Sequence, residues 1–192
     1  MSSETYPSLR IALPAWVDEV VGGRRFFETV EERMALAISL SRRSIMEGGG
    51  PFAACVFELE SGELIAPGVN QVVAARCSAA HAEIVALSIA QQVVGSFDLA
   101  AGAAARQLVT TTEPCAQCLG AIPWSGVRSV VCGARGEDAE AIGFDEGLKP
   151  EPWSEALESR GIEVRVDVER RAARQVLIDY AAGGGAIYNA GA

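Results

Sequence analysis

Only one histidine occurs among the 192 residues, and no other feature narrows the available folds as much. It stands in His81-Ala82-Glu83, and two cysteines follow in Pro114-Cys115-Ala116-Gln117-Cys118. An imidazole nitrogen and two thiolates are good ligands for a borderline-soft divalent cation, and three protein ligands leave the fourth tetrahedral position open. A fold that uses them together must carry His81, Cys115 and Cys118 to one point. Both segments read as helix starts. His81 opens an apolar helical repeat that runs to about residue 94 and ends at Gly95. Pro114 suits a helix's first turn, which puts Cys115 and Cys118 one turn apart on one face.

Helix starts carry partial positive charge and unpaired N–H groups, which favour the thiolate form that Zn2+ binds. Two thiolates offset the charge of the ion, so activation of water leans on a base, and Glu83 is the obvious one. Such a set is the signature of zinc-dependent hydrolytic deaminases of nucleobases. Water adds to a ring carbon bearing an exocyclic amine, the glutamate moves the protons, and ammonia leaves. Each motif has an ordinary alternative. A lone His-x-Glu is often a helix start with a solvent-facing carboxylate, and a lone Cys-x-x-Cys is often redox-active or merely buried. Cys77, four residues before His81, offers a closed four-ligand structural site, which would leave Glu83 without a purpose. Cys55 and Cys132 fall in apolar runs and read as core residues.

Along the rest of the chain, turn residues punctuate short apolar runs. A short helix is expected over residues 14–21, ended by Gly22-Gly23, and an amphipathic one over 26–46, closed by Gly48-Gly49-Gly50. Residues 52–57 and 64–66 flank the turn Ser61-Gly62 as a hairpin, with 67–70 a turn carrying Asn70 to the end of the sheet. In the helix from His81, Ile84 and Leu87 are expected to face the core, with Val85 or Ser88. Further strands are expected over 107–111, 127–132 and 162–166, and further helices over 137–142, 152–159 and 168–182. Trp16 and Trp153 read as packing residues. Strands separated by helices predict one three-layer α/β/α domain over residues 1–192, with a central mixed five-stranded sheet. Residues 1–25 form an N-terminal extension and 183–192 a tail beyond Gly183-Gly184-Gly185.

The length suits a single core. A net charge of −9 without any basic stripe disfavours nucleic acid and points to a small neutral substrate. An odd number of cysteines, five, with no secretion-signal pattern, predicts a reducing cytoplasm, and no apolar run is long enough for a membrane span.

At these residues the sequence resembles the cytidine-deaminase-like superfamily, and within it the bacterial guanine deaminases. The similarity covers residues 34–188. It is carried by Gly49-Gly50-Pro51-Phe52-Ala53, Gly68-Val69-Asn70, Ala80-His81-Ala82-Glu83, the run from Glu113 to Trp124, and Ala141-Ile142-Gly143-Phe144-Asp145-Glu146. The resemblance implies Zn2+ on His81, Cys115 and Cys118, and Glu83 as proton shuttle. It also implies that Phe52 stacks on the base, Asn70 hydrogen-bonds it, the backbone at Ala82 contacts it and Trp124 lines the pocket. An acidic residue in the Asp145-Glu146 loop would read the purine edge, with Glu146 standing where an aspartate is expected. Family members are homodimers in which the C-terminal segment closes the partner's site, a part that falls to Tyr188. The implied reaction is guanine to xanthine plus ammonia. Cytosine, a pterin or triazine, or a purine nucleoside are the alternative substrates, and a tRNA adenosine deaminase would need a basic surface. A structural zinc domain that mediates protein association is the reading from a different class.

Overall fold

The computed structural model describes Tyr6, residues 8–102 and residues 104–189. Five strands form one sheet: β1 (Ala53–Glu58), β2 (Leu64–Val69), β3 (Arg106–Thr112), β4 (Ser129–Ala134) and β5 (Glu163–Arg165), in the order β2-β1-β3-β4-β5. β1 is antiparallel to both β2 and β3, whereas β3, β4 and β5 run parallel, so the sheet is mixed, as expected. Eight helices are described: α1 (Trp16–Val21), α2 (Val30–Met46), α3 (Val72–Ala75), α4 (Ala82–Val94), α5 (Ala116–Ser125), α6 (Gly136–Glu140), α7 (Trp153–Glu158) and α8 (Arg170–Ala182).

Alternation along the strands divides the core. Ala53, Cys55 and Phe57 of β1 pack with Met34, Leu40, Val176 and Leu177 of α2 and α8, while Ala54 and Val56 pack with Ala86, Leu87 and Ile122 of α4 and α5. Successive residues of a strand face opposite ways, so helices cover both faces and the layers are α/β/α. Cys55 and Cys132 lie wholly inside, where burial pushes both thiols up. Trp153 is buried in the α4 and α5 layer, and Trp16 packs against the opposite one, so both are packing residues. No described helix is long and apolar enough to cross a membrane.

Several boundaries differ from expectation for physical reasons. α2 starts at Val30, not residue 26, because the Thr29 hydroxyl caps it by accepting from the Glu32 N–H at 3.1 Å; Phe26 instead forms a bridge with Glu63. β2 runs through Pro67 to Val69, since an edge strand tolerates a missing N–H, and Asn70 follows the strand directly. β4 lies two residues later than expected and includes Gly133, where an added Cβ would stand 2.7 Å from the Thr111 carbonyl oxygen. In α4, Ile84 is only half-buried and Ser88 exposed; Val85, Ala86, Leu87 and Glu83 form the buried face. The one-turn α3 was not anticipated.

One close approach positions the site. A Cβ on Gly68 of β2 would fall 2.5 Å from the Ala82 carbonyl oxygen and 2.6 Å from the Ala86 nitrogen. The first turn of α4 therefore lies directly on the edge strand, which only glycine permits.

Candidate active site

His81 is the residue that caps α4 and Cys115 the one that caps α5, so two helix N-termini face each other across the end of the sheet. The His81 Nδ1 lies 3.3 Å from the Cys115 Sγ and 3.5 Å from the Cys118 Sγ, and the three ligand atoms all fall within 4.8 Å of one another. Metal–ligand bonds of about 2.3 Å to sulfur and about 2.0 Å to nitrogen give tetrahedral N–S edges of about 3.5 Å, so this spacing fits a zinc ion. Cys77 is not part of the cluster among the described residues, which removes the closed four-ligand site. A hydrogen bond from Cys118 holds the Cys115 thiol well below the usual thiol range and pushes Cys118 above it. The hydrogen bond to Cys115 raises His81.

Glu83 projects from the first turn of α4 into the same space. It is 7% exposed, and its Oε1 accepts from the Thr110 hydroxyl at 3.4 Å. Burial foremost, with the negative charge of Cys115 behind it, pushes its carboxyl up. This carboxylate lines the same cleft as His81 and Cys115.

The cleft in front of these groups measures about 510 Å³, open mouth included. Asn70 is buried on one wall, and its Oδ1 accepts from the Val72 N–H at 3.1 Å, which fixes the amide and leaves its NH2 available to donate to a ligand. The same bond starts α3, so Asn70 serves local turn structure and the cleft at once. Phe52 lines the cleft and meets Phe144 edge to face, with centroids 4.8 Å apart; Phe144 in turn meets Tyr188 at 5.0 Å. Glu146 is 5% exposed and faces the cleft, and its backbone carbonyl accepts from the Ala116 N–H, tying the loop to α5. Burial raises its carboxyl to about 7, with the Lys149 charge pulling the other way. Asp145 also lines the cleft, although its Oδ1 turns back to the Gly147 N–H.

Two of the expected residues keep their side chains out of the wall. The Ala82 side chain is wholly buried and packs into the core, so the contact expected of Ala82 is left to its backbone, at the N-terminus of α4 between His81 and Glu83. Trp124 requires a correction: it is 84% exposed and borders a shallow groove with Ile84 and Leu87. Six residues past Cys118 on a helix correspond to about 9 Å of rise and a turn away from the cleft. Thr112, Glu113, Phe144 and Asn189 line the cleft but were not singled out. Phe144 lay inside the resemblance's own loop motif, and Thr112 and Glu113 sit beside the Cys-x-x-Cys run, so adjacency was their one signal.

Tyr188 and Asn189 of the tail line the cleft of their own chain. Tyr188 seats its ring against Gly50, where a Cβ would fall 2.1 Å from the hydroxyl. Asn189 fastens the tail, accepting from the Asp145 N–H at 3.1 Å and donating to the Gly143 carbonyl at 2.9 Å.

Comparison with known proteins agrees with this geometry. Residues 27–134 match the model of the cytidine and deoxycytidylate deaminase zinc-binding region. The guanine deaminase of Bacillus subtilis (strain 168) is 35% identical over 127 residues, 66% of this chain and 78% of that protein. The solved guanine deaminase from Nitrosomonas europaea is 50% identical over 94% of this chain and 100% of that one, with a TM-score of 0.88. A solved complex with 2,6-diaminopurine is 52% identical over 95% of this chain and 97% of the other, with a TM-score of 0.89. A zinc-type ligand triad with a buried glutamate beside it, on this sheet and with these relatives, makes the chain a member of the cytidine and deoxycytidylate deaminase family, on its guanine deaminase branch, and a hydrolytic deaminase.

Proposed function

We propose that the protein deaminates guanine to xanthine and ammonia, with Zn2+ held by His81, Cys115 and Cys118. The observation that carries the reaction is the convergence of those three ligands with Glu83 in one cleft. The substrate rests on the cleft's polar complement, an NH2 donor at Asn70 facing a carboxylate at Glu146, and on relatives named guanine deaminase or solved with 2,6-diaminopurine or 8-azaguanine.

His81, Cys115 and Cys118 would hold the ion, which would supply the Lewis acidity that makes water a nucleophile near neutral pH. Glu83 takes one proton from the attacking water and delivers it to the ring nitrogen beside the amino-bearing carbon. It then carries the second proton to the amine, which leaves as ammonia as the carbonyl forms, so that guanine plus water balances xanthine plus ammonia. Phe52 stacks against the base, Asn70 donates to a ring acceptor, and Glu146 accepts from N–H groups at the edge. Tyr188 and Asn189 cover the cleft and keep bulk water out.

The active unit is a homodimer, a reading supported by the family resemblance and by Trp124, an 84% exposed aromatic beside a shallow groove. Five free cysteines, two of them metal ligands, suit a reducing cytoplasm. The test is conversion of guanine by the purified zinc-loaded protein, followed by ultraviolet absorbance and ammonia release. Glu83→Gln should lose turnover by at least about a hundredfold while keeping zinc and fold. Turnover retained in that variant refutes the mechanism, and ammonia from cytosine or a pterin but not from guanine refutes the substrate.

A further inference from the structure

Lys149 is the chain's only lysine among 16 lysines and arginines, and its side chain is 9% exposed. Its Nζ lies 3.3 Å from the Pro114 carbonyl oxygen and 3.5 Å from the Glu146 Oε2. Pro114 immediately precedes the ligand Cys115, so one ammonium joins the turn that carries the metal ligands to the loop that carries Glu146. The space for it comes from Gly136, where a Cβ would stand 2.9 Å from Nζ. The Gly136 N–H itself donates to the Glu113 Oε2 at 2.9 Å. While Oε2 faces Lys149, the Glu146 Oε1 has no hydrogen bond among the described residues, and Glu146 lines the cleft.

We infer that Lys149 is a positioning residue for substrate reading: it holds the Glu146 carboxylate, charged and aimed into the cleft, against the carbonyl that precedes the metal-ligand turn. The inference rests on the reading of Glu146 given under Proposed function. A buried carboxylate that accepts from N–H groups of a base must stay ionised, because a protonated one presents a donor to donors. Its surroundings work against this. Burial raises Glu146 first, and the charges of Cys115 and Glu83 push in the same direction. Glu113 and Asp145 are the other acidic neighbours in the cleft wall. Lys149 supplies the opposing charge.

A role that merely braces the loop would also make Lys149 sensitive to change, so the test must read its action through Glu146. Zinc-loaded Lys149→Met, Lys149→Gln, Glu146→Gln and the Lys149→Met/Glu146→Gln double variant are compared in steady-state kinetics across a pH series. Melting temperature and zinc content are measured alongside. Lys149→Met should raise KM by about ten- to a hundredfold, with kcat within about threefold, and move the acid limb of kcat/KM to higher pH. In the Glu146→Gln background the same change should alter KM by less than about twofold. A KM rise of equal size in both backgrounds assigns Lys149 to bracing and overturns the inference, as does a wild-type KM in Lys149→Met. Should Lys149→Met lose zinc or melt early, Lys149→Gln, likewise uncharged, carries the comparison under the same criteria, alone and combined with Glu146→Gln. Turnover of guanine by the unmodified protein tests the substrate separately, since the inference is read from ratios between variants on whichever base is turned over.

Discussion

Replacing Gly68 with alanine tests whether the distance between the edge strand and α4 sets the metal site. The added methyl carbon would lie 2.5 Å from the Ala82 carbonyl oxygen, 2.6 Å from the Ala86 nitrogen and 2.8 Å from the Ala86 Cβ. These are mostly backbone atoms, so no rotamer change relieves them, and α4 must move away by roughly 0.9 Å to restore contacts of about 3.4 Å. His81 and Glu83 travel with the first turn of that helix, whereas Cys115 and Cys118 stay with α5. The 3.3 and 3.5 Å spacings between His81 and the two sulfurs therefore stretch. Overpacking of this kind costs about 1–3 kcal/mol of stability, and misplacing reacting groups by about 1 Å costs about a hundredfold in rate. Urea unfolding of the metal-stripped protein reads the first effect; kcat and zinc affinity by competition with a chelator read the second. A Gly68→Ala protein with wild-type zinc affinity and kcat would refute the claim that this contact positions the triad.

Gly50 gives a second steric test. Gly50→Ala drives a Cβ into the Tyr188 hydroxyl, so the tail should release, KM for guanine should rise, and limited proteolysis should cut near residues 183–189 faster than in wild type; an unchanged KM and cleavage rate would refute a covering role for Tyr188. The raised Glu146 carboxyl yields a pH prediction. Its value climbs from 4.5 to about 7, because burial outweighs the Lys149 charge that limits the rise. Its contribution to stability is full below pH about 4.5 and is lost as pH rises through about 7. In chelated protein, Glu146→Gln removes this titration, so its unfolding free energy should fall less between pH 5 and 7.5 than that of wild type; an equal or steeper fall would refute the assignment.

The ligand triad was legible in the sequence because its chemistry is local: His-x-Glu and Cys-x-x-Cys each sit at a helix start, and their residue types permit few other combined uses. The five strands and their order of appearance were legible because apolar runs between glycines and prolines mark them. The start of α2 was misplaced because Thr29, not the apolar periodicity, ends the preceding segment through its cap. Arg33 is another case. It reads as a polar face residue of α2, yet it is buried and donates to the Phe27 and Leu59 carbonyls and to Gln107, a set of partners that only tertiary contact assembles. Trp124 was assigned to the cleft through its place in the motif, and helical rotation takes it elsewhere.

His81 and its two sulfur neighbours are separated by 34 and 37 positions along the chain, and they sit on helices associated with different parts of the sheet. α4 lies on the antiparallel β2 edge, while α5 continues from β3, where the parallel pairing begins. A cation bound between them acts as a cross-link closing a long loop. Because it binds the folded chain far better than the unfolded one, every tenfold rise in free metal above its dissociation constant adds about 1.4 kcal/mol to stability. Metal supply would thus govern how long the protein survives proteolysis as well as how fast it turns over.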